Sequence, residues 1–491
     1  MEQNPPAKLN PAKVIGLFLG PILFLLILNL PLPEIFNPQA WKVIAVAVWM
    51  ITWWVTEAVP LPVTALLPMI LLPLLGVFAV SEATAPYASP IIFLFMGGFL
   101  IALAMEKWNL HKRIALSLIK VTGTHANGII LGFMLATAFL SMWISNTATT
   151  VMMLPIAMSV IGLIAQANTK VDKASFRKFA LALLLGIAYS ANVGGAATII
   201  GTPPNVVMVG YLQEFYQYDL AFSQWLWIGI PVSGFLIFLV YFLLVKWLFP
   251  SGLGHLEGSQ TLISRELEAL GPISKEEKRV LIIFILTALG WILRQPINHW
   301  LEPWLGRPLL TDTIIAMSGG TAMFLWPLNL KKSEFLLDWP TTQRLPWGIL
   351  LLFGGGLCLA RAMEVTGIIQ WVGDQISSGG PYPLWLLLFL LITVCLFMTE
   401  VMSNVALVTI FLPVVLGIAD GLGLPPLLLA APVTIAASCA FMLPVSTPPN
   451  AIVFASGYIE VKDMARGGFI LNVLSVITLV IAGLTLVKWV L

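Results

Sequence analysis

Small polar residues occur twice over in this chain, set inside long apolar stretches. Ser145-Asn146-Thr147 is matched 258 positions later by Ser403-Asn404-Val405, and Gly201-Thr202-Pro203-Pro204-Asn205 is matched by Ser446-Thr447-Pro448-Pro449-Asn450. Phe95-Met96-Gly97-Gly98 and Phe353-Gly354-Gly355-Gly356 form a third pair with the same 258-residue spacing. Hydroxyl and carboxamide side chains can donate to carboxylate oxygens or lend an oxygen to a cation. A double proline interrupts a helix, since each ring removes an amide donor and collides with the preceding turn. The interruption frees carbonyls, which suit a small hard cation such as sodium, and amides, which suit an anion.

None of these motifs contains Lys or Arg. An anionic cargo bound there needs its charge balanced by something the sequence does not encode, and bound sodium meets that need. Moving a dianion alone against a 100 mV inside-negative potential costs about 4.6 kcal/mol, at roughly 2.3 kcal/mol per charge. At least two co-transported monovalent cations are needed to cancel that cost. Ser, Thr and Asn in membrane helices can equally just bond to neighbouring helices, and paired glycines can just let helices pack closely. Packing explains one isolated motif well and three duplicated motifs poorly. Polar interruptions duplicated in apolar sequence are the pattern of a transporter whose site lies between internal repeats.

Such residues must be held by helices at membrane depth, and the composition provides them. Of 491 residues 59% are hydrophobic and 10% charged, against about 25% charged in soluble domains, so the chain is a multi-pass membrane protein. Irregular backbone survives in the hydrocarbon only where protein or a water-filled cavity satisfies it. Residues 129–166, as one helix, would run roughly 57 Å, nearly twice the ~30 Å hydrocarbon core, yet both flanks are basic. This stretch is read as a re-entrant hairpin turning at Ser145-Asn146-Thr147. A second hairpin is read over 384–419. Between Arg361 and Lys462 there is no Lys or Arg, so by the positive-inside rule it enters from the opposite side.

The expected fold is all-α, with broken helices over 179–211 and 427–460. Eleven spans are counted besides the hairpins, among them 61–80, 280–300 and 347–372. Residues 1–41 form an N-terminal segment with the first span, 42–249 a first repeat, 250–279 a polar linker and 280–491 a second, inverted repeat. The basic clusters, including Lys8 with Lys13 and Lys170 with Lys173, Arg177 and Lys178, then lie on the cytoplasmic side of an inner or plasma membrane. The N-terminus falls inside and the C-terminus outside.

Other chemistries find little support. A net charge of +2 without a basic run gives no reason to expect nucleic acid. Cys358, Cys395 and Cys439 stand in apolar sequence without metal-ligand spacing, and the four histidines are scattered near segment ends. Neither a metal-hydrolase motif nor a nucleophile–base spacing is present, which argues against an enzyme. A channel would need a charged ring or filter sequence. Glu57, Arg361, Glu364 and Glu400 sit at or near apolar spans, where charge is costly. They are read as structural or gating residues, with Arg361 and Glu364 close enough in sequence to pair.

The stretch from Ser438 through Phe441, Pro444, Ser446-Thr447-Pro448-Pro449-Asn450 to Val453, with Trp53-Trp54-Val55-Thr56-Glu57-Ala58-Val59-Pro60 and Ser145-Asn146-Thr147, resembles the divalent anion/sodium symporter family, which includes the Indy-type di- and tricarboxylate carriers. The resemblance runs from about residue 40 onward. It implies a homodimer in the lipid bilayer, each protomer with a scaffold and a transport domain that moves as an elevator. It implies one sodium held by Ser141, Ser145, Asn146 and the Gly201 carbonyl, and a second by Thr399, Met402, Asn404 and Ser446. Substrate carboxylates would meet Asn146, Thr147, Thr202, Pro203, Ser403, Asn404, Thr447 and Pro448, with Val405 where some members carry a threonine. That substitution removes a hydroxyl and bears on the choice between dicarboxylate and tricarboxylate. The implied activity is sodium-coupled symport of C4-dicarboxylates such as succinate, malate or fumarate. Sodium-independent exchange, or carriage of citrate or sulfate, is the alternative.

Overall fold

The computed structural model describes residues 11–167, 172–256, 258–380 and 382–491, so Lys8 and Lys170 lie outside the described residues. It is almost wholly helical, apart from a small antiparallel strand pair, Pro327–Asn329 with Glu334–Phe335. Among the described residues eight helices are long and apolar enough to cross a membrane, nine if one bent pair counts as a span. Some present apolar residues outward, as Pro11–Asn29 does with Ile15, Phe18, Ile22 and Leu25. Others are enclosed: from Phe179 to Gly195 every residue of Lys173–Gly195 is buried. Apolar residues on all sides suit both settings, lipid contact and the interior of a bundle.

The two hairpins form where the length of apolar sequence required a turn. The first joins Ala126–Ser141 to Asn146–Ala167 and the second joins Leu384–Met398 to Asn404–Gly421. The interrupted helices are Lys173–Gly195 with Pro203–Tyr216, and Pro426–Ala437 with Pro448–Phe454. Thr202 and Thr447 are extended N-caps (φ −141° and −144°), and Pro203 and Pro448 open the helices that follow. A proline costs little there, because the first-turn amide has no helical partner to lose.

Three expected spans are divided. Residues 61–80 contain Leu61–Thr64 and Leu67–Leu74, and the 280–300 span bends by 72° between Lys275–Ile292 and Arg294–Leu305. In each case the first helix ends four residues before a proline, Pro68 or Pro296, whose ring excludes the carbonyl at i−4. The 347–372 span stops at Val365 and restarts as Ile368–Ser377 through Gly367, whose φ of +81° few side chains tolerate. The equivalent turn 258 residues earlier is made by Asn109 (φ +56°), which opens Leu110–Val121.

Within the 250–279 stretch, Ser259–Ala269 forms a surface helix against Leu110–Val121. Lys112 meets Glu266 at 2.9 Å, while Arg113 forks onto Glu277 (2.7 and 3.1 Å) and donates to the carbonyls of Gly271 and Leu270. The repeated glycines serve helix crossings. A Cβ at Gly97 would lie 2.6 Å from the Ala316 carbonyl oxygen, and one at Gly355 would collide with the Ala65 carbonyl. Phe95 and Phe353, the aromatic heads of the two motifs, meet edge to face at 5.3 Å. For this pair of motifs close packing is therefore the better reading.

Candidate functional site

Each hairpin tip is tied to its interrupted helix by the same three groups. Ser141 Oγ donates its one proton between Asn146 Oδ1 (2.6 Å) and the Ala191 carbonyl (2.7 Å). Thr399 Oγ1 does the same with Asn404 Oδ1 (2.7 Å) and the Ala437 carbonyl (2.8 Å). The carboxamide nitrogens of Asn146 and Asn404 donate to no described residue, so each asparagine keeps a free N–H₂ beside its engaged oxygen.

The interruptions close onto themselves in parallel ways. Asn205 Nδ2 donates to the carbonyls of Ala196 (3.0 Å) and Thr198 (2.8 Å), and Asn450 Nδ2 to those of Ala440 and Leu443 (both 3.1 Å). Buried carbonyls released from a helix must find such donors or a ligand. Thr198 Oγ1 reaches across to the Met142 carbonyl (2.6 Å) and accepts from the Gly201 amide (3.0 Å). Ser446 Oγ makes the corresponding link to the Glu400 carbonyl (2.9 Å).

Oxygens converge where the first tip faces the first break. A Cβ at Gly201 would collide with the Gly195 carbonyl and lie 2.9 Å from Ser141 O and 3.0 Å from Thr198 Oγ1. One at Gly195 would collide with Asn146 Oδ1 and lie 3.1 Å from Gly201 O. Glycine at both positions lets four oxygens from residues 141, 146, 195 and 201, with Thr198 Oγ1, approach one another. Neutral oxygens gathered in this way, with no donor proton among the carbonyls, suit a small hard cation.

The second tip has an acid that the first lacks. Glu400 is buried, and its carboxylate accepts from the amides of Phe441 (2.8 Å), Met442 (3.0 Å) and Leu443 (3.3 Å), from Ser446 Oγ (2.6 Å) and from Asn472 Nδ2 (2.8 Å). The matching residue 258 positions earlier is Met142. Every oxygen of Glu400 is thus occupied by donors, which makes it a brace between tip, break and the helix Val461–Ala482.

Of the residues expected at the site, Ser141, Asn146 and Gly201 come together at the first tip, and Thr399, Asn404 and Ser446 at the second. Ser145 Oγ accepts from the Ala148 amide (3.2 Å) and so caps the return arm. Thr202 and Thr447 are buried at the two breaks, Pro203, Ser403 and Val405 are half-buried, and Thr147 and Pro448 are exposed. Met402 is buried with no side-chain polar contact. Sequence reasoning missed Tyr189, Asn192, Gly195 and Thr198. Tyr189 donates to the Phe441 carbonyl (2.7 Å), so the first repeat supports the second break. The available signal was three polar side chains and a glycine in the apolar sequence just ahead of Gly201.

The remaining charged candidates lie apart. Glu57 ends its helix in left-handed geometry (φ 47°), is exposed and faces Lys13 at 3.3 Å. Arg361 pairs with Glu214 (3.2 Å) instead of Glu364. Two open cavities of about 420 and 440 Å³ also lie elsewhere, one lined by Asp219, Arg294 and His299, the other by Trp108, Phe335 and Trp339.

The family model described as the sodium:sulfate symporter transmembrane region matches residues 12–491. SdcS of Staphylococcus saprophyticus, a sodium-dependent dicarboxylate transporter, is 42% identical over 477 residues, covering 96% of this chain and 91% of that protein. SdcS of Staphylococcus aureus is 42% identical over 479 residues, covering 96% and 90%. In fold, the chain is similar to the crystal structure of the Alcanivorax borkumensis YdaH transporter, with a TM-score of 0.54 over 97% of this chain and 96% of that one, at 13% identity. With nearly its whole length matched, the chain belongs to the sodium:sulfate symporter family, the divalent anion/sodium symporters.

Proposed function

We propose that this chain is a sodium-coupled symporter of C4-dicarboxylates such as succinate, malate and fumarate. The observation that carries this reading is the duplicated set of hydroxyl, carboxamide and freed carbonyl at two hairpin tips, with no basic residue in any of the motifs. Sodium would sit among Ser141, Ser145, Asn146 and Gly201, and a second ion among Thr399, Met402, Asn404 and Ser446. Gly195 and Thr198 extend the first set. The free amide groups of Asn146 and Asn404, with Thr147, Thr202, Pro203, Ser403, Val405, Thr447 and Pro448, would line the carboxylate site. The bound cations would then supply the positive charge that the side chains lack. Two relatives described as sodium-dependent dicarboxylate transporters, 42% identical over nearly the whole chain, support the same choice of cation and cargo.

The finer reading is of a homodimer whose transport domain moves as an elevator, with the N-terminus cytoplasmic and the C-terminus outside. Mass measurement in detergent and cysteine labelling of the termini test those statements. The central test is uptake of radiolabelled succinate into liposomes under an inward sodium gradient, against potassium alone. Uptake that needs sodium and exceeds the succinate gradient supports symport. Uptake without sodium that requires internal dicarboxylate would make the protein an exchanger and overturn the cation assignments. Asn146→Ala and Asn404→Ala should each abolish uptake while the protein still folds and inserts.

A further inference from the structure

Asn192 lies on the buried helix Lys173–Gly195 of the first repeat, yet its carboxamide is spent on the break of the second. Nδ2 faces the Ala440 carbonyl (3.2 Å), Thr447 Oγ1 (3.1 Å) and Asn450 Oδ1 (3.3 Å). The orientation of this amide is fixed by its surroundings. Asn450 gives its own Nδ2 to two carbonyls and therefore turns its oxygen to Asn192, while the Ala440 carbonyl accepts only a donor. Asn192 thus turns Nδ2, which cannot accept, toward Thr447 Oγ1, with its two protons shared among three acceptors of which Thr447 Oγ1 is the nearest.

A threonine hydroxyl has two lone pairs and one proton. At Thr447 one lone pair meets Asn192 Nδ2 and the other the Asn450 amide (3.4 Å), so both acceptor positions are occupied. The proton is left over and bonds to no described residue. Among the described residues Thr202, the matching residue of the first repeat, has no side-chain hydrogen bond to cap its helix or to orient its hydroxyl.

The repeat lacks the matching brace. The carbonyls of Ala191 and Ala437 play the same part toward Ser141 and Thr399, so Asn192 and Ser438 are equivalent positions. Ser438 Oγ is buried with no partner among the described residues, and so is Asn205 Oδ1, the atom that corresponds to Asn450 Oδ1. A serine is too short for the reach that asparagine makes.

We propose that Asn192 is a positioning residue that holds the Thr447 hydroxyl as a one-way donor toward a substrate carboxylate. This rests on the assignment of Thr447 to the substrate site. The two threonines of that site are then unequal, one pre-set as a donor and the other free to rotate.

The test compares wild type with Asn192→Asp, Asn192→Ser, Thr447→Val and Ser438→Ala in sodium-driven succinate uptake into liposomes. The carboxylate introduced by Asn192→Asp would accept the Thr447 proton, so N192D should raise the succinate KM by at least about tenfold, equal to about 1.4 kcal/mol. Vmax and the sodium half-activation measured at saturating succinate should stay unchanged. N192S should raise KM by a smaller factor, and S438A should leave it unchanged. In a T447V background N192D should add nothing, because the hydroxyl it acts through is gone; a further rise there would mark charge repulsion and overturn the proposal. An unchanged KM in N192S, or an equal shift in S438A, would also overturn it. Should N192D fail to insert, N192S in the wild-type and T447V backgrounds decides the same question. If wild type itself shows no sodium-driven succinate uptake, the function reading falls and this inference falls with it; if wild type transports and N192S is normal, only this inference falls.

Discussion

Glu400→Ala would strip the acceptor from five donor groups at once, the amides of Phe441, Met442 and Leu443, Ser446 Oγ and Asn472 Nδ2. Ser446 and Asn472 can rotate toward other acceptors, and Ser446 already reaches the Glu400 carbonyl. The three backbone amides cannot turn. At about 1–3 kcal/mol for each buried group left unsatisfied, and less for the half-buried Met442 and Leu443, the loss is at most about 3–9 kcal/mol. That is a large share of the roughly 5–15 kcal/mol that holds a typical protein folded. Glu400→Gln is milder. With its NH₂ on the Oε2 side, Phe441, Met442 and Asn472 keep an acceptor, and Ser446 can reverse its hydroxyl and accept. Only the Leu443 amide is orphaned, so the cost is about 1–3 kcal/mol. Thermal unfolding of purified protein in detergent, followed by tryptophan fluorescence, should rank wild type above E400Q and E400Q above E400A, with E400A barely accumulating as folded protein. An E400A variant that purifies normally and melts with wild type would refute the brace.

Gly201→Ala should push a methyl into the oxygen cluster and raise the sodium concentration for half-maximal uptake; a normal sodium activation curve would move the cation site elsewhere. Val405→Thr restores a hydroxyl at the second tip and should change the ranking of succinate, malate and citrate as competitors of uptake, and an unchanged ranking would turn that position away from substrate. Arg294→Ala leaves Asp312 buried without its cation (3.4 Å) and should cost about 3–5 kcal/mol, read as a lowered melting temperature. Arg361→Gln removes a partly exposed pair worth about 0–1 kcal/mol, so it should melt with wild type, and a large loss of stability would contradict that placement.

The 258-residue spacing was readable because the helices that open at Leu110, Ala126 and Asn146 recur at Ile368, Leu384 and Asn404, each 258 residues on, which located the tips. The interrupted helices break that spacing. Lys173–Gly195 has 23 residues and Pro426–Ala437 only 12, and equivalent positions there lie 245 apart (Thr202 and Thr447) or 246 apart (Ala191 and Ala437), so the correspondence of Asn192 with Ser438 is hidden. Span limits failed for a local reason, since Pro68, inside apolar sequence, and Pro296, beside Arg294 and Gln295, both act through the carbonyl four residues back. The part played by Glu400 could not be read at all. Its partners at 441–446 and 472 are distant in sequence, and three of them are backbone amides, which carry no residue signature.

Glu400 also bears on charge balance. A buried carboxylate with oxygens open to the site would add negative charge beside a dianion and so raise the number of cations needed for balance. Its oxygens, however, are already held by donors from the break and from Val461–Ala482, so the carboxylate is engaged by the framework and not by the site. The compensation for a dicarboxylate must then travel with it. With two sodium ions per dianion the transfer is neutral, and with three an inside-negative potential drives it inward by about 2.3 kcal/mol per 100 mV. Fewer than two would leave net negative charge moving inward against the potential. Succinate uptake at fixed sodium, with the potential set by a potassium gradient and valinomycin, should therefore be indifferent to or accelerated by a negative interior. Uptake slowed by a negative interior would mean that fewer than two cations accompany each dianion, and the two-site assignment would fail.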